Sequence, residues 1–326
     1  MTPVTAVTAR VPAKVNLQLA VGPARADGYH DLVTVYHAVS LFDEVTVAPA
    51  ERDSVSVTGE GAGEVPADGG NLAARAVTAL LAAVGTGVRD SPGVAIRIRK
   101  RIPVAAGLAG GSGDAAAALV ACNELWRAGL SQHDLCEIAA TLGSDVGFAL
   151  IGGTAVGTGR GEQVTPALTA GAYHWVLAFA HGGLATGEVY AAADRLRAAG
   201  NGPAPAARAS GAAGLDGPAE PDKGLMAALR SGDPVAVGRR LSNDLQAAAI
   251  SMRPGLRRAL AAGEELGALG AIVSGSGPTC AYLARDTRHA QAVAVGLTGA
   301  GVCRSVATVV GPVPGATVIP AVAEPA

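Results

Sequence analysis

The sequence has few cysteines, and their spacing excludes two common roles. None of the four belongs to a CxxC pair, which a redox motif or a zinc ribbon would need. We therefore expect reduced, mostly buried thiols in a cytoplasmic protein, and no metal ion held by protein ligands. The four positions are Cys122, Cys136, Cys280 and Cys303.

Long hydrophobic runs and an excess of charge are also missing. No window holds the roughly 18 consecutive apolar residues that a transmembrane helix needs. The first residues lack the positively charged start and apolar stretch of a secretory signal. Lys and Arg number 25 and Asp and Glu number 27, which gives a net charge of −2. These features predict that neither a membrane nor a nucleic acid is a partner.

Lysine and aromatic residues are scarce, so each one beside a motif is informative. The chain of 326 residues has lysines only at positions 14, 100 and 223, and aromatic residues make up 3% of it. Apolar residues make up 49%, which is enough for a packed globular protein, and the length suggests two domains. Strand-like segments precede helix-like segments without regular alternation, which predicts an α+β fold.

The first strand-like segment, residues 11–21, alternates between apolar and polar positions. This pattern is typical of a strand with two different faces. A lysine on a polar strand face is usually solvated, but Lys14 is one of only three lysines and lies beside Asn16. The apolar face is predicted to carry Val11, Ala13, Val15, Leu17 and Leu19, and the polar face Lys14, Asn16 and Gln18.

A glycine-rich stretch, RIPVAAGLAGGSGDAAAAL at residues 101–119, joins a predicted strand to a predicted helix. Glycines at 107, 110, 111 and 113 precede the helix, which we predict over 115–125. Glycine turns let backbone N–H groups approach an anion closely, and a helix N-terminus adds about half a positive charge. The pattern therefore favours a phosphate site over a turn that only packs the strand against the helix.

The stretch does not match the two commonest nucleotide motifs. A Walker loop requires a lysine that is absent here, and GLAGGSG does not fit GxGxxG. The sequence therefore predicts a nucleotide loop of another kind. Asp114 follows the glycines, and we interpret it as a structural cap of the helix.

Two further turns are open to more than one interpretation. Asp145 lies in LGSDVGFALIGG at 142–153 and is either an Asx turn or helix cap, or a carboxylate that works with Lys14 in phosphoryl transfer. Nothing in the spacing shows that these two side chains meet. GAIVSGSGPTCAYL at 270–283 is either a hairpin turn or a backbone segment that approaches a substrate.

Two segments contain few large apolar side chains that a core could bury. Residues 198–224 are rich in small residues and proline, which predicts a flexible insertion. Residues 312–326 predict a flexible, frayed tail. We expect neither segment to contribute to the core.

Taken together, these motifs resemble those of the GHMP small-molecule kinases. Three family motifs occur in order: a first strand bearing Lys14, the loop PVAAGLAGGSGDAAAAL, and SGSGPTC near the C-terminus. The resemblance implies a two-lobed α+β GHMP kinase fold with the active site in the cleft between the lobes. The implied N-terminal lobe, residues 1–165, binds ATP and is similar to the second domain of ribosomal protein S5. The implied C-terminal lobe, residues 166–326, is ferredoxin-like.

Further motifs narrow the resemblance to family members that act on a cytidine-diphosphate-linked polyol. These motifs are RADGYHDL, GSDVGFAL and GGTAVGTGRGE. The implied reaction transfers the γ-phosphoryl group of ATP, with Mg²⁺, to a hydroxyl group of CDP-methylerythritol on the route to isoprenoid precursors. A cytoplasmic monomer or weak homodimer is implied.

The resemblance also implies roles for individual residues. Lys14 and Asp145 would form the catalytic pair, and Asn16 would hold the polyol. The cytidine would be stacked and hydrogen-bonded by Tyr29, His30, Thr186 and Tyr190. The adenine would be flanked by Lys100 and Asn71. The ATP phosphates would lie against Pro103, Val104, Ala105, Ala106, Gly107, Leu108, Ala109, Gly110, Gly111, Ser112 and Gly113.

One departure and two rival functions remain open on the sequence. Relatives often carry two adjacent small hydroxyl or alanine residues after the loop glycines, whereas here Ser112 is followed by glycine. No carboxylate partner for magnesium is evident, so ATP oxygens and water would mainly hold the ion.

A kinase of the same family acting on mevalonate, homoserine or a sugar is the nearer rival, and the motif DGYH argues against it. A silent nucleotide sensor would not need both Lys14 and Asp145.

Overall fold

The structure is a computed structural model that describes residues 6–88, 91–200 and 220–320. Two short 3₁₀ turns lie at Ala62–Glu64 and Thr86–Val88. The strands are β1 (Val7–Ala24), β2 (His30–Ala50), β3 (Ser54–Gly59), β4 (Gly93–Lys100), β5 (Thr154–Thr158), β6 (Gln163–Pro166), β7 (Tyr173–Phe179), β8 (Ser242–Asn243), β9 (Gly270–Val273), β10 (Cys280–Ala284), β11 (Ser305–Gly311) and β12 (Thr317–Ile319). The helices are α1 (Leu72–Val84), α2 (Gly110–Leu125), α3 (Gln132–Leu142), α4 (Val146–Ile151), α5 (Thr186–Ala198), α6 (Lys223–Ser231), α7 (Pro234–Gly238), α8 (Gln246–Met252), α9 (Gly255–Glu265) and α10 (Thr287–Gly299).

Two sheets organise the molecule, as the predicted two-lobed α+β architecture requires. The first has the order β12-β1-β2-β4-β3, with β8 beside β1 and the β5–β6 hairpin beside β2. Its β3–β4 and β1–β8 pairs are parallel, and its other pairs are antiparallel. The second sheet is antiparallel, with the order β11-β7-β10-β9. The last strand of the β5–β6 hairpin ends at Pro166, and the next strand along the chain already belongs to the second sheet.

The long strand β1 is buried on both faces, which differs from the predicted alternation. Every residue from 11 to 21 is buried, including Lys14, although a lysine on a polar strand face is usually solvated. A register shift between Pro12 and Ala13 turns the strand. Val11 therefore packs in one hydrophobic cluster, while Ala13 packs in another. Helix α2 and the second sheet cover the strand.

The first hydrophobic cluster lies between the first sheet and helices α1, α2 and α3. Asn71 caps α1, as predicted, because its side chain accepts a hydrogen bond from the backbone N–H of Ala73 at 2.9 Å. Ser131 caps α3 in a capping box with Asp134. The alanine-rich face of α2 lets this helix pack closely against α1 and β1, because small side chains bring helix and sheet backbones together.

Helix α2 begins five residues earlier than predicted. It starts at Gly110, so three of the loop glycines form its first turn. Ala109 precedes it in the left-handed region, with φ of 59°. The prediction that Asp114 caps the helix is also wrong, because its carboxylate is buried and bound to Lys100. Packing against β1 holds the glycines in helical geometry despite their low helix propensity.

The second sheet separates two further hydrophobic clusters. On one face, helices α5, α8, α9 and α10 pack against alternate residues of β7 and β10. On the other face, residues of β1 and β2 join the large side chains of Tyr173 and Trp175 and the apolar face of α6. This second cluster belongs to both sheets, so the two lobes share one continuous core beneath the cleft.

The two segments predicted to be flexible have different outcomes. Most of the 198–224 insertion, residues 201–219, lies outside the described residues, and α6 already begins at Lys223. The tail prediction for 312–326 is wrong for its first part, because β12 pairs with β1 through Thr8 and Ile319. Edge pairing of a three-residue strand satisfies the backbone groups of β1 there. Residues 321–326 lie outside the described residues.

Candidate active site

A cavity of about 900 Å³ lies between the two lobes. Its walls come from β1, β2, the loop before α2, the start of α4, helix α5 and the turn between β9 and β10. The walls therefore contain all three motifs that the sequence singled out. No helix in the described part of the chain has the length and apolar character to cross a membrane, and within that part no three His, Cys, Asp or Glu side chains form a metal-binding group.

Lys14 and Asp145 meet in this cavity, although 131 positions separate them in the chain. The Lys14 Nζ atom lies 3.9 Å from Asp145 Oδ2 and donates a hydrogen bond of 2.5 Å to Asn16 Oδ1. Asn16 in turn donates to Thr34 Oγ1 at 2.8 Å. Asp145 precedes α4 without making a side-chain cap, so its carboxylate is free for another role.

Tyr36 holds the second oxygen of Asp145. Its hydroxyl group donates to Asp145 Oδ1 at 2.8 Å, and its ring stacks on Phe148 at 4.7 Å between centroids. Burial, with the charge of Asp145 beside it, raises the pKa of the Tyr36 hydroxyl well above its usual value. The tyrosine therefore stays a hydrogen-bond donor, and the Asp145 carboxylate is fixed with Oδ2 toward Lys14.

The electrostatics of Lys14 are set by opposing effects. Burial lowers the pKa of its ammonium group, while the carboxylate of Asp145 raises it. A buried ammonium that lies 3.9 Å from a partly exposed carboxylate is stabilised mainly by that carboxylate. An additional anion entering the cavity would be attracted to the same lysine.

The glycine-rich loop approaches the cavity through its backbone. Gly107 has a φ of 77°, in the left-handed region that glycine adopts readily. A Cβ atom at Gly111 would meet no atom within 4 Å, so this position is open to the cavity. The first N–H groups of α2 have no acceptor inside the helix. The end of α2 thus presents unpaired donors and a partial positive charge to the cavity.

The second glycine turn packs against both the loop and Lys14. The Ser274 hydroxyl group donates to Gly107 O at 3.0 Å, and Thr279 N donates to Ala106 O at 3.3 Å. A Cβ atom at Gly275 would lie 3.0 Å from Lys14 Nζ. The segment is therefore more than a hairpin turn, since its backbone forms the cavity wall beside Lys14 and the glycine-rich loop.

Lys100 is held in a buried triad with Asp43 and Asp114. Its ammonium group is hydrogen-bonded to Asp43 Oδ2 and lies 2.7 Å from Asp114 Oδ2. Asp43 Oδ1 accepts the backbone N–H groups of Arg101 and Ile102 at 2.6 and 2.9 Å. The triad therefore ties the end of β4 to the N-terminal part of α2, on either side of the glycine-rich loop.

This placement bears on the two residues predicted beside the adenine. Lys100 is 3% exposed and its ammonium group is committed to two carboxylates, so the charged end of Lys100 does not extend toward a ligand. Asn71 is 4% exposed, caps α1, and donates to Pro66 O at 2.7 Å. Both residues line the cavity, yet their polar atoms serve the protein, and contact with adenine would fall to their apolar parts.

Four predicted residues line the same cavity. His30 and Tyr190 are in ring contact, with centroids 5.0 Å apart, and Tyr29 is 53% exposed at the mouth. Thr186 begins α5, where its hydroxyl group lies 3.0 Å from the Ser276 hydroxyl group. Two exposed or half-buried aromatic rings near a histidine form a surface on which a flat ring can stack.

Sequence reasoning missed five residues that take part in these interactions. Tyr36 could have been noticed, because tyrosine is rare in this chain. Arg160 lies in the quoted motif GGTAVGTGRGE, and its guanidinium carbon is 4.9 Å from the Tyr29 ring centroid. Ser276 lies in the quoted motif SGSGPTC, and its hydroxyl group contacts Thr186, 90 positions away. Asp43 and Asp194 carry no local signal, because their partners are distant in sequence.

Comparison with known protein families places both halves of the chain in one family. The GHMP kinases N terminal domain matches residues 71–153, and the GHMP kinases C terminal domain matches residues 225–302. A protein from Mycolicibacterium gilvum (strain PYR-GCK) is 53% identical over 98% of this chain and 94% of its own length. One from Nocardia farcinica (strain IFM 10152) is 54% identical over 96% of each. Both relatives are named 4-diphosphocytidyl-2-C-methyl-D-erythritol kinase.

Solved structures agree with this assignment of the fold. A crystal structure of 4-(cytidine 5'-diphospho)-2C-methyl-D-erythritol kinase matches with a TM-score of 0.70 and 32% identity, over 93% of this chain and 99% of the other. Homoserine kinase from Cytophaga hutchinsonii matches with a TM-score of 0.71 and 20% identity, over 98% and 99%. At that identity the second match supports the fold alone.

Proposed function

This chain belongs to the GHMP kinases, and on that premise we propose that it transfers the γ-phosphoryl group of ATP to the 2-hydroxyl group of 4-diphosphocytidyl-2-C-methyl-D-erythritol. The product is the 2-phosphate, an intermediate of the non-mevalonate route to isoprenoid precursors. Relatives of that name that are 53% and 54% identical over nearly the full chain support this substrate. The observation that carries the chemistry is the meeting of Lys14 and Asp145 beside the phosphate loop.

The catalytic step requires a hydroxyl group to attack the γ-phosphorus of ATP while its proton passes to a base and the bond from that phosphorus to ADP breaks. Asp145 is the proton acceptor in this proposal, because Tyr36 and Lys14 hold its two oxygens and leave it at the cavity wall. A carboxylate in this position orients the attacking hydroxyl group and receives its proton. Lys14 stabilises the carboxylate and the negative charge that develops on the transferred group. Asn16 is fixed by Thr34 beside the place that we assign to the polyol.

The ATP phosphates lie, in this proposal, at the N-terminus of α2. The open position at Gly111, the left-handed Gly107 and the unpaired N–H groups of the first turn support this assignment. An anion at a helix N-terminus is stabilised by direct hydrogen bonds and by the helix dipole. The loop residues 103–113 therefore act mainly through their backbone.

The cytidine binds, in this proposal, beside Tyr29, His30, Thr186 and Tyr190 in the cavity wall. The rings of Tyr29 and Tyr190 are the stacking surfaces, and His30 and Thr186 are the polar groups beside them. An open aromatic ring at a cavity mouth, with a second ring contacting a histidine, suits a flat base better than it suits mevalonate or homoserine, which have no ring to stack.

Magnesium is expected with ATP. The residues that the structure describes would hold the ion only together with ATP oxygens and water. Mg²⁺ commonly keeps several waters and binds phosphate oxygens with one or two protein donors. Ser112, which lines the cavity at the start of α2, is the donor that we assign to it. The unpaired buried oxygen Asp114 Oδ1 belongs to a carboxylate that already binds Lys100. When bound, the ion neutralises charge on the transferred phosphate group.

Two further parts of the proposal concern the setting of the reaction. Both proposed substrates are charged nucleotides. We propose that the enzyme acts in the cytoplasm, because ATP is present there. We propose a monomer or weak homodimer, as the resemblance to the family implies. Gel filtration with light scattering tests the second part, and a stable dimer at micromolar concentration would contradict it.

A phosphorus NMR assay tests the proposed substrate. The protein is incubated with magnesium-ATP and, in separate samples, with the CDP-linked substrate, mevalonate or homoserine. We expect a new phosphomonoester signal only with the CDP-linked substrate. A signal only with mevalonate or homoserine would retain a kinase and overturn the cytidine site. No signal in any sample, with ATP binding intact, would favour a nucleotide sensor.

A further inference from the structure

The carboxylate of Asp194 is bound to one ring nitrogen of His30, and the catalytic mechanism makes no use of this contact. His30 Nε2 lies 3.0 Å from Asp194 Oδ1 and 3.1 Å from Asp194 Oδ2. The histidine side chain is 7% exposed and the aspartate side chain 38%. Both residues line the cavity, so this pair is part of its wall.

The contact determines which nitrogen of His30 carries the hydrogen atom. A carboxylate accepts hydrogen bonds and donates none, so Nε2 is the protonated nitrogen of this pair. In the neutral ring the other nitrogen, Nδ1, then carries a lone pair and acts only as an acceptor. Both side-chain hydrogen bonds that the structure describes for His30 involve Nε2, and the residue lines the cavity. A ligand can therefore meet this acceptor.

Asp194 is itself fixed in place by neighbours. It lies on α5 eight residues after Thr186 and four after Tyr190, so the three side chains share one helix face. Arg197 lies 3.7 Å from Asp194 Oδ1 and donates to the backbone oxygens of Val21 and Gly22 at 2.7 and 3.0 Å. The arginine therefore connects α5 to the end of β1 and holds the aspartate against the histidine.

The two pyrimidine bases differ in the group that an acceptor can recognise. Cytosine carries an exocyclic amine, which donates hydrogen bonds, where uracil carries a carbonyl oxygen, which only accepts them. An Nδ1 that only accepts hydrogen bonds binds the cytosine amine. The uracil carbonyl oxygen would instead face the Nδ1 lone pair, and no hydrogen bond would form. A buried polar group left without its partner discriminates strongly against the wrong ligand.

We propose that Asp194 is a positioning residue that holds His30 in the Nε2-protonated form, and that the enzyme thereby selects cytosine over uracil. This inference rests on the proposed function, because it requires a cytidine base beside His30. Asp194 contacts no reacting atom in this proposal, and it acts through the histidine. It should affect substrate binding and base selectivity while the phosphoryl-transfer step is retained.

The tautomer can be measured without any substrate. Nitrogen-15 NMR of histidine-labelled protein at neutral pH distinguishes a protonated from an unprotonated ring nitrogen. We expect His30 to be neutral with hydrogen on Nε2 in the unmodified protein, and this preference to weaken in Asp194→Asn. A His30 ring that carries hydrogen on Nδ1, or on both nitrogens, would overturn the proposal. His30→Gln assigns the signal.

Kinetics with two substrates measure the consequence. The substrates are the CDP-linked compound and its uridine counterpart, tested with the unmodified enzyme and with Asp194→Asn. We expect KM for the CDP-linked compound to rise about tenfold, with kcat within about twofold. The preference for cytidine over uridine in kcat/KM should fall by about tenfold. Unchanged KM and unchanged preference would overturn the proposal.

Matched variants separate this role from loss of structure. Glu188→Gln removes one negative charge from the exposed side of the same helix and should leave both kinetic parameters unchanged. ATP binding measured by calorimetry should be equal in all three proteins. An Asp194→Asn protein that loses ATP binding as well would indicate a structural role and would count against the proposal.

The test also separates this inference from the proposed function. If the unmodified protein phosphorylates neither nucleotide-linked compound, the proposed substrate fails, whatever the NMR spectrum of His30 shows. If it phosphorylates both with equal kcat/KM, the kinase assignment survives and the role of Asp194 in base selection is wrong.

Discussion

The buried position of Lys14 is the residue-scale feature with the clearest consequence for stability. Its ammonium group loses most of its contact with water, and only Asp145, at 3.9 Å, compensates with an opposite charge. Removing water from a charged group costs several kcal/mol, which an imperfect ion pair repays only in part. Function and stability should therefore conflict at this residue.

Lys14→Met tests that conflict. The methionine keeps the apolar stem and removes the buried charge, so we expect the free energy of unfolding to stay within about 1 kcal/mol, because the desolvation cost of the lysine disappears while the partly exposed Asp145 loses its partner. At the same time kcat should fall at least about a hundredfold, since the developing charge loses its partner. Urea unfolding and steady-state kinetics measure the two effects. A variant that is destabilised by more than about 2 kcal/mol would contradict this account of burial.

Asp114 gives a prediction about pH. Burial raises the pKa of its carboxyl group to about 7, with Lys100 acting to lower it and Asp43 acting to raise it. A group whose pKa is higher in the folded than in the unfolded protein contributes most stability below its unfolded pKa, which is 3.8 here. That contribution is lost as the pH rises toward about 7.

Asp114→Asn should remove this pH dependence. The amide stays neutral, so the stability of the variant relative to the unmodified protein should increase from pH 4 to pH 7. Thermal unfolding at several pH values measures the difference. Glu188→Gln is the control, because the Glu188 side chain is exposed. A pH-independent difference for Asp114→Asn would contradict the raised pKa.

Single residues show what sequence reasoning could and could not find. The sequence singled out Lys14 because lysine is rare in this chain and because Asn16 lies beside it on the same strand. Tyr36 and Asp194 were missed because each acts on a partner more than a hundred positions away. Such pairs depend on how the strands and helices assemble, which no local pattern contains.

At the scale of single elements, the start of α2 shows how packing overrides propensity. Glycine disfavours helix, so the sequence predicted a start at Ala115. The helix nevertheless begins at Gly110, where a Cβ atom would approach Lys100 and Ile102, and a Cβ atom at Gly113 would lie 3.2 Å from a Val11 methyl carbon. The residues packed against Gly110 and Gly113 leave little room for larger side chains, so the helix includes these glycines.

Ala109→Gly tests the backbone at this junction. Ala109 has a φ of 59°, and the left-handed region costs a non-glycine residue about 1 kcal/mol. Glycine relieves this cost but gains entropy in the unfolded chain, so we expect a net stabilisation of up to about 0.5 kcal/mol. Ala117→Gly, inside the same helix, should destabilise by about 1 kcal/mol. Equal losses in both variants would show that Ala109 is not strained.

At the scale of the whole molecule, both lobes contribute to one cavity and share one core. The sequence predicted two lobes and a cleft through the resemblance of three motifs. It did not predict that β12 returns to the first sheet after the second is complete, because a three-residue strand has too little pattern to recognise. The closing strand and the shared core make the two lobes interdependent.

Ligand-induced stabilisation follows from this arrangement. A ligand that binds only the folded protein stabilises it by about 2.7 kcal/mol at a hundred times its Kd. We expect ATP and the CDP-linked substrate each to raise Tm, because the proposed sites exist only in the folded protein. Tyr190→Ala should lose much of the shift with the CDP-linked substrate and keep the shift with ATP. Loss of both shifts would contradict separate sites for the two ligands.

The most direct test of the central claim is a single-turnover measurement with the unmodified enzyme and Asp145→Asn. Both proteins are saturated with magnesium-ATP and the CDP-linked substrate, and the phosphorylated product is quantified with time. The unmodified enzyme should form the 2-phosphate, while Asp145→Asn should bind both ligands and form at least about a thousandfold less product per second. Turnover by Asp145→Asn within about tenfold of the unmodified enzyme would contradict the proposed role of Asp145 as proton acceptor.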